Sequence, residues 1–444
     1  MEKANNKKLV RHLLSRAGFG FTPEEYEEAL KYDYEELVDR LVDFEKVDNS
    51  ALETAIKSQQ FDFTNPDDIR RWWLFRMLFT ARPLEEKMTL FWHGHFATSI
   101  KKVRNPYAMY QQNSLFRRLC LGRFDELLLS VSRDPSMILY LDNQQNRKGK
   151  PNENYAREVM ELFTMGIGNY SETDVKEAAR AFTGWHTKQG KFYFDKGAHD
   201  EKAKTVLSVT GNLDGGDIVT ILAKRKQTSQ RLALKLIKFF LTDEPDKALL
   251  NKVARAYEPE HKIAPMVKEI FLSSTFRHEG SYHGLVKSPC EYVIGALKTL
   301  QLSTVDGDTF RYLASMGQDL FAPPSVKGWD GGTAWLSSDT MMGRFNYANR
   351  IVAQKFDAMG GASGLRKVCQ SQNLQNGEDM VDYFLTLFVD GDVPKTTRQS
   401  LLDYVQGGSK GGERELVDFS DRALDAKLRG LIHLIICLPT YQLS

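Results

Sequence analysis

Signals that start α-helices recur along this chain of 444 residues, and they constrain its fold more than any other feature. Thr22 can cap a helix whose first position is Pro23, and Glu25 can return a hydrogen bond to the cap. The stretch from Ser171 to Asp174 is a similar start, and apolar residues follow it at helical spacing. We therefore predict a mainly α-helical globular fold with at least about a dozen helices.

One region departs from the helical pattern. Lys191 to Phe194 and Lys204 to Leu207 have the aromatic and β-branched content of short strands, and polar residues lie between them. We predict a single small β-hairpin inserted among the helices at residues 191–209.

The predicted hairpin divides the chain into parts of one continuous domain. Residues 360–364 and 407–412 are rich in glycine, which predicts linkers around a less regular C-terminal part. The predicted parts are an N-terminal helical lobe at 1–190, the hairpin insertion at 191–209, a second helical lobe at 210–359 and a C-terminal helical region at 360–444.

The charge balance argues against a polyanionic partner. The chain has 60 Lys and Arg against 58 Asp and Glu, so its net charge of +2 creates no field that would recruit nucleic acid. No apolar stretch is long enough to span a membrane, and no apolar leader core follows the first residues. We expect a cytoplasmic protein with no nucleic-acid partner and no transmembrane segment. If a leader precedes the given sequence, the expected location changes from the cytoplasm to export.

The cysteines give no sign of a metal or redox pair. The four of them are far apart and form no Cys-x-x-Cys motif. We expect four reduced thiols, at Cys120, Cys290, Cys369 and Cys437.

His93 and His95 form the first candidate site. Two imidazoles one residue apart are a common metal pair where the backbone is extended. In a helix His95 instead joins the apolar stripe, and His93 falls on the polar side with Glu86 and Thr89. A divalent metal at this pair therefore requires the helix to end near Gly94, and the alternative is a hydrogen-bonded core histidine at position 95.

A polar arc from Asn152 to Glu161 is the second candidate site. On a helix Glu153, Arg157 and Glu158 share one face. The arc is either a solvated face held by i,i+4 ion pairs or an enclosed site, and its varied hydrogen-bonding groups favour an enclosed network.

His199 and Asp200 form the third candidate site, on the turn of the predicted hairpin. A loop histidine beside an aspartate can act as a general base or bind a hard metal, although such pairs also occur on surfaces by chance. We assign candidate catalytic roles to five residues and a candidate metal-binding role to two. The catalytic set is Glu153, Arg157, Glu158, His199 and Asp200, and the metal set is His93 and His95.

These segments also carry a resemblance to a known family. The segments that carry it are RHLLSRAGFG from Arg11, FWHGHFATS from Phe91, LDN from Leu141, PNENYAREVMELFTMGIGNYSETDVKEAARAFTGW from Pro151, HDEKAKT from His199, KSPCEYVIGAL from Lys287, GQDLFAPPSVKGWDGG from Gly317 and LRGLIHLIICLPTYQ from Leu428. Through them the chain resembles, from about residue 8 to its end, the bacterial family called domain of unknown function 1800. This chain departs from the pattern at Gly94, where a polar residue is expected, and at 202–208, which lacks the usual glycines.

The resemblance implies a partner and no activity. Family members are often encoded beside a protein that looks like the alkaline phosphatase and sulfatase superfamily, which implies such a partner here. Many members carry export leaders.

Two classes of function remain open. The first is a metal-assisted hydrolase or transferase whose site gathers the candidate residues in one cleft. The second is a non-catalytic helical scaffold that presents an aromatic and basic groove to the implied partner. That groove would use Trp72, Trp73, the basic stretch at 101–123, and exposed tryptophans at Trp329 and Trp335.

Overall fold

The computed structural model describes residues 2–302, 305, 307–353, 364–406 and 422–444, and 65% of it is helical. The mainly α-helical class is therefore confirmed. Most of residues 360–364 and all of 407–412, where linkers were predicted, lie outside the described residues. The α-helices are α1 (Glu2–Ala17), α2 (Pro23–Ala29), α3 (Tyr34–Val42), α4 (Ser50–Gln59), α5 (Pro66–Phe79), α6 (Pro83–His95), α7 (Ile100–Val103), α8 (Pro106–Leu119), α9 (Phe124–Ser132), α10 (Pro135–Tyr140), α11 (Asn154–Glu158), α12 (Glu172–Ala181), α13 (Gly215–Ala223), α14 (Lys226–Phe240), α15 (Lys247–Arg255), α16 (Ala264–Leu272), α17 (Ser274–Arg277), α18 (Pro289–Thr299), α19 (Thr309–Ser315), α20 (Ser338–Ala353), α21 (Gly364–Ser371), α22 (Gly377–Val389), α23 (Lys395–Gln406) and α24 (Arg422–Cys437).

The predicted helix starts are present. Thr22 and Glu25 form a reciprocal capping box at α2, and Ser171 and Asp174 form another at α12. Each start satisfies backbone N–H groups that a helix otherwise leaves without a partner.

Two hairpins stand where one was predicted. Strand β1 (Trp185–Lys188) pairs with β2 (Lys191–Phe194), and β3 (Lys204–Val206) pairs with β4 (Val209–Gly211), both antiparallel. The two predicted strands are therefore present, but each pairs with a neighbour closer in sequence because a short turn brings that neighbour beside it.

The helices enclose two hydrophobic cores. The first joins α1–α3 to the helices from α9 to α17, and the second joins α4 and α5 to the helices from α18 to α24. Helix α6 contributes to both, since Met88 and Trp92 pack in the first core and Leu90 packs in the second. The boundaries predicted for the lobes remain a prediction.

Because α6 lies between the cores, even its polar side chains are buried. Glu86, Thr89 and His93 are all at most 1% exposed, so the polar side predicted for this helix is buried. Glu86 instead accepts hydrogen bonds from Arg76 and Arg117, and Lys87 forms an ion pair with a glutamate of α18. Buried charges require such partners.

A loop at 317–332 wraps the end of α6. The Phe321 N–H donates to His93 Nε2 at 3.2 Å, and the Ile100 N–H donates to the Phe321 carbonyl at 2.8 Å. Gly328 has φ +87°, and a Cβ there would overlap the Gly94 carbonyl, so the loop can approach α6 only with glycine at this position. Two of the sequence motifs therefore meet at the end of α6.

Candidate active site around Lys235

A cavity of about 340 Å³ opens at this meeting point. It lies between the end of α6, the second half of α14, the start of α18 and the loop at 327–332. We call it the Lys235 cavity. Its aromatic and charged lining residues include Phe91, His95, Lys235, Lys238, Phe239, Asp243, Glu291, Lys327, Trp329, Asp330 and Trp335.

One wall of the site depends on an irregularity in the backbone. Directly after α11 the chain forms a π-helix from Val159 to Thr164. Two backbone carbonyls near its end accept hydrogen bonds from side chains of other helices. The Phe163 carbonyl lies 3.0 Å from His95 Nε2, and the Leu162 carbonyl accepts from Arg231 Nε at 3.2 Å. Short π-helical turns often mark functional sites, and here the turn supplies acceptors to two neighbouring helices.

The hydrogen bonds of His95 fix its tautomer. A carbonyl can only accept, so Nε2 must carry the hydrogen that points to Phe163. Nδ1 is then an acceptor, and Lys235 Nζ lies 3.0 Å from it. Burial, followed by the charge of Lys235, lowers the pKa of His95 well below its ordinary value, which keeps the ring neutral.

The amine of Lys235 is held by two hydrogen-bond acceptors. Its Nζ faces two acceptors, His95 Nδ1 at 3.0 Å and the Leu162 carbonyl at 3.4 Å. Burial, with a smaller contribution from the positive charge of Arg231, lowers the pKa of Lys235 to about 7. The amine therefore exists in both charged and neutral forms near neutral pH.

The remaining walls combine aromatic rings with charges. The Trp329 ring lies against Gly94 of α6, and Trp335, Phe91 and Phe239 complete an apolar surface. In the described part of the chain neither Lys238 nor Lys327 has a carboxylate within ion-pair distance.

Three lysines and three acidic side chains line the cavity, and one of the three carboxylates is not free to bind a ligand. Both oxygens of Glu291 are engaged, one by Lys87 and the other by the Ser288 N–H. Asp243 and Asp330 remain, so three lysines face two side-chain carboxylates that have no ion pair among the described residues. The lysines can therefore receive an anionic group, and the aromatic rings can contact an apolar portion of the same ligand.

The structure separates the two histidines of α6. The helix continues through Gly94 to His95, so the rings project in different directions. His93 packs against Trp73 and Phe321 and uses Nε2 as an acceptor, whereas His95 faces Phe163 and Lys235. Burial lowers the pKa of His93 to about 3. Their predicted role as metal ligands stays a prediction.

The arc around Arg157 is only partly enclosed. Arg157 binds Glu172 at 2.7 Å and Glu153 at 3.2 Å, yet its side chain keeps 34% of its exposure and that of Glu172 keeps 69%. The enclosed network expected at this position is therefore not present. Burial and the nearby Glu161 raise the pKa of Glu158, even though Arg157 and Lys327 act in the opposite direction.

His199 and Asp200 are buried beside the first hairpin rather than exposed on its turn. His199 Nδ1 donates to the Thr183 carbonyl at 2.8 Å. Asp200 accepts from Arg180 Nε at 2.8 Å, and this hydrogen bond lowers the pKa of Asp200 to about 2. Both residues hold the segment after the hairpin against α12.

The predicted site residues therefore fall into separate groups. His95 lines the Lys235 cavity, and Glu158 is close enough to Lys327 on its wall to interact electrostatically. The other five have their own local partners, as described above. Among the residues that the structure describes, no three His, Cys, Asp or Glu side chains are grouped as a metal site requires.

The groove expected for a scaffold is also rearranged. Trp72 and Trp73 are 3% and 0% exposed, and Arg117 is buried in its ion pair with Glu86. Trp329 and Trp335 are half-buried and line the cavity. Trp72, Arg117 and Arg118 line a second cavity with Phe63 and Tyr110, so residues of the predicted groove are divided between two cavities.

The central residue of the cavity was missed from the sequence. A helix at 230–241 was predicted, but Lys235 within it was not singled out. The available signal was a lysine placed between Leu232 and Phe239 on the apolar side of that helix. No sequence pattern identifies the carbonyls of Leu162 and Phe163, because the π-helix has no simple signature.

In the part of the chain that the structure describes, the fold is mainly helical and the Lys235 cavity lies between the two cores. The chain belongs to the family described as "Protein of unknown function (DUF1800)", whose sequence profile matches residues 12–443. No curated protein and no solved structure matches the chain. Within the described ranges, none of the helices combines the length and apolar character that crossing a bilayer would require.

Proposed function

We propose that this protein is an enzyme that acts on a small organic anion, with the Lys235 cavity as its active site. The observation that carries the proposal is the position of Lys235, whose amine faces two acceptors at the wall of a cavity. A largely apolar pocket with a few convergent polar groups is the usual form of a small-molecule site.

Charge and shape support the substrate class. The three lysines would receive the anionic group, and the rings of Trp329 and Trp335 would contact the apolar portion. Lys235 exchanges a proton readily near neutral pH, as acid–base catalysis requires. The same residue can therefore bind the charge and take part in the reaction.

Benzoate is a suitable unreactive probe, because it combines a carboxylate with an aromatic ring. We expect benzoate to quench the fluorescence of the tryptophans in the cavity, and Lys235→Met to weaken its binding by about tenfold or more. Lys176→Met, which changes an exposed lysine on α12, should bind benzoate like the parent. Benzyl alcohol is the uncharged control and should bind far more weakly.

Two results would overturn the proposal. The first is a parent protein that does not bind benzoate, and the second is equal binding by the parent and Lys235→Met.

The finer predictions from the sequence stay predictions. They are a metal-assisted hydrolase or transferase that uses the seven candidate residues, a non-catalytic scaffold, a cytoplasmic or exported location, and a partner that looks like an alkaline phosphatase or sulfatase. Metal analysis of the purified protein tests the first of these.

A further inference from the structure

We infer that Lys235 is a nucleophile that condenses with a carbonyl group, so that the substrate is an aldehyde or ketone that carries an anionic group. The inference rests on the proposed function, because it requires the Lys235 cavity to be the active site. It adds the reacting group and the class of bond that forms.

A neutral amine has two N–H groups and one lone pair. His95 Nδ1 and the Leu162 carbonyl can only accept, so together they take both hydrogens of a neutral Lys235. Among the described residues no further acceptor contacts Nζ, so the lone pair occupies the remaining position, on a side chain that lines the cavity.

This arrangement differs from that of an ordinary ion-paired lysine. In the described part of the chain no carboxylate lies within ion-pair distance of Lys235, and the charge that adds to the effect of burial in lowering its pKa is that of another cation, Arg231. A desolvated lysine beside a second cation is one of the established ways to activate an amine as a nucleophile. Lys238 and Lys327 lack such a pair of acceptors among the described residues.

The condensation balances without any further reactant. Nζ attacks the carbonyl carbon, the C–N bond forms, and the carbonyl oxygen becomes a hydroxyl group. The two amine hydrogens then leave with that oxygen as water, and the imine nitrogen takes one proton from solvent.

The hydrogen-bond acceptors around Lys235 Nζ can also accommodate a protonated imine. A protonated imine keeps one N–H, which can donate to His95 Nδ1. The Leu162 carbonyl loses Lys235 as a donor but keeps Arg231 Nε at 3.2 Å. No buried acceptor is therefore left without a partner, so the protein environment tolerates both states of the nitrogen.

The test uses 4-formylbenzoate, which adds an aldehyde to the benzoate probe. The intact protein is incubated with 4-formylbenzoate at neutral pH, the imine is reduced with sodium borohydride, and the modified lysines are located by peptide mass spectrometry. We expect the adduct at Lys235 at least about tenfold above Lys238 and Lys327, and excess benzoate should suppress it.

Two controls make the outcomes distinct. Lys235→Arg cannot form an imine and should lose the adduct. Lys176→Met changes an exposed lysine on α12, so it should keep the Lys235 adduct and bind benzoate like the parent. If the parent binds benzoate but the adduct is spread over surface lysines, the imine inference is wrong and the proposed function survives. If benzoate does not bind either, both are wrong.

Discussion

Replacing each of two arginines by methionine separates a buried ion pair from an exposed one. Arg117 is 8% exposed and donates to both oxygens of Glu86, at 2.6 and 2.8 Å. Burial alone would raise the pKa of Glu86, but Arg117 and Arg76 more than compensate, so the pKa is lowered and the carboxylate stays charged. Arg117→Met therefore leaves a fully buried charge with half of its counter-charge.

The loss of stability expected for Arg117→Met depends on the hydrogen bonds that Glu86 keeps. Breaking a buried pair by removing one partner costs about 3–5 kcal/mol. Glu86 keeps Arg76 Nε at 2.7 Å and Trp73 Nε1 at 3.1 Å, so we expect the lower end, about 3 kcal/mol. Arg157→Met removes a pair that water already screens, and should cost less than about 1 kcal/mol.

Urea unfolding of the two variants and the parent measures both losses, with the slope used to check that each unfolds in the same way. Lys176→Met serves as the surface control. An Arg157→Met loss as large as that of Arg117→Met would refute the reasoning, because it would mean that the Asn152–Glu161 arc is enclosed after all.

Three further predictions concern other parts of the structure. Burial lowers the pKa of His93 from an unfolded value of about 6.5 to about 3, so the folded protein loses stability relative to the unfolded chain as the pH falls below 6.5. Between pH 7 and pH 5 the free energy of unfolding of the parent, measured with urea, should fall by about 2 kcal/mol more than that of His93→Gln. Equal losses would contradict this pKa. Gly328→Ala should lower the thermal midpoint more than Gly149→Ala, since both have positive φ but only the first would overlap the Gly94 carbonyl; similar shifts would count against the docking of the loop. Thiol titration of denatured, unreduced protein should find four free cysteines, and a lower number would show a disulfide.

Local features of the fold could be predicted from the sequence. The capping residues at Thr22 and Ser171 act over three or four residues, so their effect is visible in the chain itself. The partners of the strands could not be predicted as reliably, because Lys191–Phe194 and Lys204–Val206 carry the same β signal and only the short turns decide which strand each joins.

Burial was the property that sequence reasoning assigned least well. A helical wheel places Glu86 and His93 on a polar face, but α6 lies between two cores and has no solvated face. Arg157 shows the opposite error, since its varied neighbours suggested an enclosed network at a position that is partly exposed. Whether a polar side chain is buried depends on which helices pack over it, and that information is not local.

The candidate site was only partly visible for the same reason. The sequence assigns His95 a candidate metal-binding role, with a hydrogen-bonded core residue as the alternative, and the structure places it as a buried, hydrogen-bonded residue. Its partner Lys235 lies 140 positions away in the chain, and the carbonyls that orient both come from a third segment. Sequence spacing could not bring these three together.

The central claim is that Lys235 is an activated amine in the active site, and its titration tests this most directly. Intact protein is exposed to a trace of acetic anhydride across a range of pH, and the acetylation of Lys235 is followed by peptide mass spectrometry. The same residue in urea-unfolded protein is the control and should titrate near the ordinary lysine pKa of about 10.4. The structure predicts a pKa of about 7 for Lys235 in the folded protein. A folded value that coincides with the unfolded one would contradict the account.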